Sequence, residues 1–162
     1  MFVALIASLA SAVVELGDPW GEFSRRPALR GPSETVEIGT LGMNRQSQKL
    51  RYWLRYTRAE RLGKVTTRWA DSETCSEVTG ILERMRGLAV PQPDPPGIGE
   101  RGPTRIVLDG AGYSLRAPAQ FGPDAGKFLI SSNIETPLAQ WTDDSLRRLE
   151  RCWTDEQPKR HP

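Results

Sequence analysis

The chain has 162 residues and a mass of 18.1 kDa, with 38% hydrophobic residues, 26% charged residues and a formal net charge of +2. That length suits one domain with a core of its own, and the composition excludes an intrinsically disordered chain. Neither a metal nor a dense disulfide scaffold is needed for stability at this size, although 15 glycines and 13 prolines imply long irregular connections.

Residues 1–14, MFVALIASLASAVV, carry no charge, and Ala10-Ser11-Ala12 supplies the small-x-small pattern read by signal peptidase. The expectation is a signal peptide over 1–12, cut after Ala12. The run is too short to span a bilayer, which takes roughly 20 apolar residues. No Lys or Arg precedes it, so the alternatives are a start further upstream or a buried strand or helix. Residues 13–44 are poorly periodic, and Pro19, Pro27, Gly31 and Pro32 interrupt any regular element. They read as an irregular N-terminal arm, which Trp20 and Phe23 could pin to the domain.

In KLRYWLRYTR, residues 49–58, Leu50, Tyr52, Leu54 and Tyr56 alternate with Arg51, Trp53, Arg55 and Thr57. That period of two predicts a strand with one buried face. After a turn at 60–63, KVTTRWA puts Val65, Thr67 and Trp69 on one face, and a hairpin is the economical pairing. Thr74 and Glu77 then have capping-box spacing, Val78, Ile81, Leu82 and Met85 follow at helical spacing, and Gly87 stands where a left-handed cap belongs. Gly80 inside that helix costs about 1 kcal/mol against alanine and suggests a close neighbour.

Residues 89–103, AVPQPDPPGIGERGP, hold five prolines and three glycines and predict an extended crossover loop. TRIVLD and GYSLRA read as two short strands joined at Asp109-Gly110, and KFLISS as a third after a loop over 118–126. A second helix is expected to begin at Thr142 as N-cap, with Asp143 and Asp144 in its first turn and a Trp141–Leu146 hydrophobic staple. Leu146, Leu149, Cys152 and Trp153 form its apolar stripe, and the polar tail, 154–162, is expected to fray. The architecture predicted is one α+β domain over 45–153 in the order ββαβββα. It is an antiparallel sheet of about five strands with two helices packed on one face.

Cys75 lies three residues before Val78 and Cys152 three after Leu149, so both thiols point inward from their helices. A Cys75–Cys152 disulfide clipping the helices together is the expectation, two separate buried thiols the alternative. An exported chain and a disulfide support one another, because the cytosol keeps thiols reduced.

Candidate chemistry is sparse. GIGERG, residues 97–102, matches the dinucleotide-binding letters, but prolines precede it and Pro103 with a predicted strand follows, so no helix N-terminus is there to hold a pyrophosphate. The only histidine, His161, sits in the polar tail, unsuited to a nucleophilic triad, and no Cys/His spacing suits zinc. No cofactor and no metal are expected. Asp109 and Glu135, near strand ends, could in principle converge for hydrolysis, but nothing in the spacing selects them, and the stronger reading is a turn former for Asp109 and a solvated loop residue for Glu135.

Charge is the least ordinary feature. Residues 45–68 carry eight basic residues and one acid, an excess of +7 within a chain of +2, which leaves −5 elsewhere. Arg51, Trp53 and Arg55 share one strand face, and Arg68 is placed to join them from the partner strand. Arginine beside an aromatic suits phosphate, carboxylate or sugar contact. The alternative is an ordinary solvated sheet face on which Trp53 packs against Trp69. The functional expectation is a periplasmic or secreted, non-catalytic binding module whose basic face contacts an acidic protein or an anionic envelope polymer rather than nucleic acid. A structural or assembly protein of the cell envelope is the second reading, and a carboxylate-dependent hydrolase the third.

Overall fold

A computed structural model describes residues 16–159 apart from 30, 94, 96–97, 99–109 and 122. The predicted signal peptide, the TRIVLD strand, Asp109, His161 and all of GIGERG except Ile98 lie outside the described residues. The elements are β1 (Gly21–Pro27), β2 (Ser33–Met43), β3 (Leu50–Ala59), β4 (Val65–Asp71), α1 (Ser76–Arg86), β5 (Ala111–Phe121), β6 (Asp124–Ser132) and α2 (Pro137–Leu149), with a 3-10 turn at Glu150–Cys152. The strands form one antiparallel sheet in the order β4-β3-β2-β1-β5-β6. The chain therefore leaves the sheet at β4, runs through α1 and re-enters beside β1.

The α+β class, the antiparallel sheet and the two helices are as expected, but the strand count is six among the described residues and the order is ββββαββα. The two additional strands come from residues read as an irregular arm, and they occupy the middle of the sheet. Their proline and glycine breakers stand at strand ends: Pro27 closes β1, Gly31 takes φ +105° in the turn, and Pro32 precedes β2. Phe23 on β1 and Val36 and Ile38 on β2 are completely buried. The β3–β4 hairpin forms as predicted, from Trp53 opposite Asp71 to Ala59 opposite Val65. The loop expected over 118–126 is instead mostly strand. Pairing of β1 with β5 ends at Glu22 opposite Arg116, so Pro118 sits where β5 has β6 as its one neighbour among the described residues, a position that tolerates a missing N–H.

One sheet face carries the core. Phe23, Val36, Ile38, Leu54 and Leu115 meet Val78 and Ile81 of α1 and Leu138 and Leu149 of α2, and Phe23 packs edge-on against Trp141 at 4.9 Å between ring centroids. Both helix starts differ from expectation. Asp71 accepts the N–H groups of Glu73 and Thr74 at 2.7 and 3.0 Å and also the Thr74 hydroxyl. That local turn takes Thr74 out of the capping role, so Cys75 becomes the N-cap and the capping box does not form. Gly87 does end α1, but at φ −93° rather than in the left-handed region. For α2, Thr136 is the N-cap, its hydroxyl oxygen accepting the Ala139 N–H at 3.1 Å, and Pro137 takes the first helical position. Thr142 is therefore a fully buried interior residue and Trp141 a core residue rather than half of a staple.

The Cys75–Cys152 disulfide is present, with its Cα atoms 5.8 Å apart, and it links the start of α1 to the 3-10 turn after α2. Beyond it the tail is anchored rather than frayed at its start: Trp69 and Thr154 exchange two backbone hydrogen bonds of 2.8 Å, capping the outer edge of β4. Among the described residues no helix is long and apolar enough to cross a membrane.

Candidate functional site

The nominated basic face is largely neutralised from within. Arg51 is buried and ion-paired with Glu73 at 2.5 Å. Trp53 is 2% exposed, packed over Gly39 of β2 and 5.9 Å from the Trp69 ring. Arg55 donates through Nε to Glu37 across the strand pair at 2.5 Å, and its guanidinium lies 5.7 Å from the centroid of Trp69. The Glu37 hydrogen bond, partly offset by desolvation, raises the already high Arg55 pKa. Arg68 does not join these three. It opposes Tyr56 in the β3–β4 register and so stands on the helix-bearing face, while Trp69 opposes Arg55 on the other.

Arg68 instead borders a cleft of about 450 Å³ between the ends of β2, β3 and β4 and the C-terminal half of α2. The wall of this cleft is an aromatic pair: Tyr56 and Trp153 are stacked at 5.0 Å between centroids and 24° between planes. Their placement follows from neighbours in the chain. Tyr56 sits on the buried side of β3, and Trp153 is held between Cys152 in its disulfide and Thr154 on the β4 edge. The Tyr56 hydroxyl donates to Glu34 at 2.8 Å; burial first, then that bond and the charge of Glu34, push its pKa up to about 12.

Three guanidiniums stand around the pair. Arg58 donates through Nε to Glu60 at 2.9 Å, Arg68 Nε lies 3.8 Å from the exposed Asp155 carboxylate, and Arg147 is bound to Asp144. Each arginine has five N–H donors, so these contacts leave most of them for another acceptor. Glu150 also lines the cleft and has no ion-pair partner among the described residues. Such an arrangement can hold a carboxylate through paired N–H donors beside an aromatic side chain.

Of these residues the sequence marked only Arg68. Arg58 was legible, since it falls two residues after Tyr56 on the same strand face. Arg147 and Trp153 carried helical spacing but no signal that they would meet β3.

Among the described residues no group of His, Cys, Asp and Glu side chains is arranged to hold a metal ion. Glu135 is exposed, with φ +64°, immediately before the α2 N-cap, and its proposed partner Asp109 is outside the described residues.

Fold and site together define a small disulfide-clipped α+β domain with an arginine-bordered aromatic cleft. No protein-family model, curated protein or solved structure matches the chain.

Proposed function

We propose that this is an exported, non-catalytic binding module that contacts an acidic partner, and that the contact is made at the cleft beside Tyr56 and Trp153. The observation that carries the reading is the convergence of Arg58, Arg68 and Arg147 from three elements on one cavity, with N–H donors to spare. The disulfide supports export, since such bonds persist in oxidising compartments. Arg55, on the outer face with Arg51 and Trp53, contributes at most a separate rim, because those two neighbours are buried. The test is retention on at least one of two immobilised acidic polymers, a polysaccharide with a carboxylate on alternate rings and poly-glutamate. Arg58→Glu/Arg68→Glu should lose retention while keeping its circular dichroism spectrum, and Arg55→Glu should keep it. Loss in Arg55→Glu alone would move the site to the outer face, and retention indifferent to all three changes would remove the reading.

A structural or assembly role in the cell envelope is the second reading, favoured by the β6 edge of the sheet. There Leu129 is 76% exposed on an outermost strand that has no second neighbour among the described residues. Cross-linking in cells to one stable protein partner would support it over polymer binding.

A further inference from the structure

We propose that the cleft takes an acidic saccharide, a short stretch of hydroxyl-rich sugar rings bearing isolated carboxylates, in preference to a dense polyanion or an acidic peptide. This rests on the reading of the cleft as the site for an acidic partner and adds the class of ligand.

The first argument is electrostatic. Two carboxylates, Glu34 and Glu150, line the same cavity as the three arginines. The carboxylates of Glu60, Asp144 and Asp155 further offset those arginines from just outside it. A cavity so nearly balanced has no strong positive field, and a ligand with a charge at every unit meets repulsion as well as attraction. What it offers is directional: unused guanidinium N–H groups for a single carboxylate, held by paired hydrogen bonds.

The second argument is the distribution of acceptors. Glu34 is committed to the Tyr56 hydroxyl and to Arg25, the latter at 3.5 Å. Glu150 is not committed to any cation among the described residues; it enters the lining from the turn after α2, whereas Arg58 and Arg68 enter from β3 and β4, and Thr66 lines the same cavity. An uncommitted carboxylate inside an arginine-bordered cleft is a misfit for a polyanion. For sugar hydroxyls, which donate, it is a partner.

Shape supplies the third. The Trp153 indole, backed by the buried Tyr56 ring stacked on it and continued by Leu146, is the apolar wall of the cavity. The C–H face of a pyranose ring lies against such a wall, whereas the slender acidic side chains of a peptide bury little against it. At about 450 Å³ the cavity falls within the range for small-molecule sites and takes one or two sugar rings.

Glu150 is then the specificity-determining residue, accepting from hydroxyls while repelling dense negative charge. The experiment uses oxidised full-length protein with four probes: a galacturonate trimer (one galacturonate flanked by two galactoses, so that it bears a single carboxylate), the matching neutral galactose trimer, poly-glutamate and inorganic phosphate, with binding read by calorimetry and by the Trp153 indole N–H resonance. The galacturonate trimer should bind and shift that resonance, and the other three should bind roughly tenfold more weakly or not at all. Glu150→Gln should weaken galacturonate binding and strengthen poly-glutamate binding, opposite signs that a merely structural residue does not produce. If poly-glutamate or phosphate binds best, the saccharide assignment falls while the acidic-partner reading stands. Equal binding of the neutral trimer, or unchanged galacturonate affinity in Glu150→Gln, also overturns the assignment. If none of the four binds, both readings fall together.

Discussion

Trp53 lies flat across Gly39 on the neighbouring strand, so close that a β-carbon on the glycine would sit 2.2 Å from the indole Cε2. An aromatic residue filling the space over a strand glycine protects a backbone that would otherwise be bare on that face. This relationship explains why a tryptophan on the open side of the sheet is 2% exposed. It also explains why Trp53 cannot serve as a contact residue without unpacking β2 from β3.

Gly39→Ala should therefore destabilise the protein by overpacking, by about 1–3 kcal/mol, read as a lower urea midpoint. Pairing it with Trp53→Leu in a double-mutant cycle should recover part of that loss, since the smaller side chain removes the clash. Additive effects would mean that the indole does not rest on Gly39.

Removing the Cys75–Cys152 bridge frees a loop with a sequence separation of 77. In the chain-entropy picture that costs roughly 4.5 kcal/mol, so Cys75→Ser/Cys152→Ser should melt well below the parent and gain little from oxidising conditions. Denatured, unreduced parent protein should titrate no free thiol.

The two threonines of the second helix should respond in opposite ways. Thr136→Ala removes the hydroxyl that caps the Ala139 N–H and should cost about 1 kcal/mol. Thr142→Val should be neutral or stabilising, because the Thr142 hydroxyl is fully buried with no hydrogen-bond partner among the described residues. Equal losses in both variants would contradict this placement of the helix start.

Tyr56 makes stability depend on alkaline pH. Burial and the Glu34 bond raise its pKa from about 10 in the unfolded chain to about 12 in the folded one. The folded state thus holds the phenol proton more tightly. Its contribution, on the order of 2–3 kcal/mol, is fully present below about pH 10 and is lost as pH rises through about 12. Tyr113, pushed in the same direction by burial and by its bond to Asp143, adds to the trend. Denaturant melts between pH 9 and 12 should show a steeper loss in the parent than in Tyr56→Phe, which lacks the titrating group.

The basic segment shows where reading along the chain stops being informative. Its excess of +7 is correct as a count, yet Arg51 is neutralised by Glu73 and Arg55 by Glu37, acids that lie outside the segment. Proximity in a sheet runs across strands, and charges counted along one strand do not reveal what stands beside them. The same limit hid β1 and β2. Their prolines and glycines mark ends of strands, β1 has only seven residues, and the alternation of the longer β2 is interrupted by Gly39 and by the register shift between Thr40 and Gly42. Local competition accounts for the displaced helix starts: Asp71 took Thr74, and the Thr136-Pro137 pair was a stronger start signal than Thr142.

By itself the sequence determined what consecutive residues can decide: the two-residue alternation of β3 and β4 and their hairpin, the α+β class, the apolar stripes of both helices, and the inward cysteines that pair. Tertiary structure alone decided the sheet order, the placement of Trp53 over Gly39, and the meeting of Arg58, Arg68, Arg147 and Trp153 around one cleft. The physical reason is range. Alternation and helical spacing are set by backbone geometry within a few residues, whereas a register, an ion pair or a cavity exists only once distant segments are laid side by side.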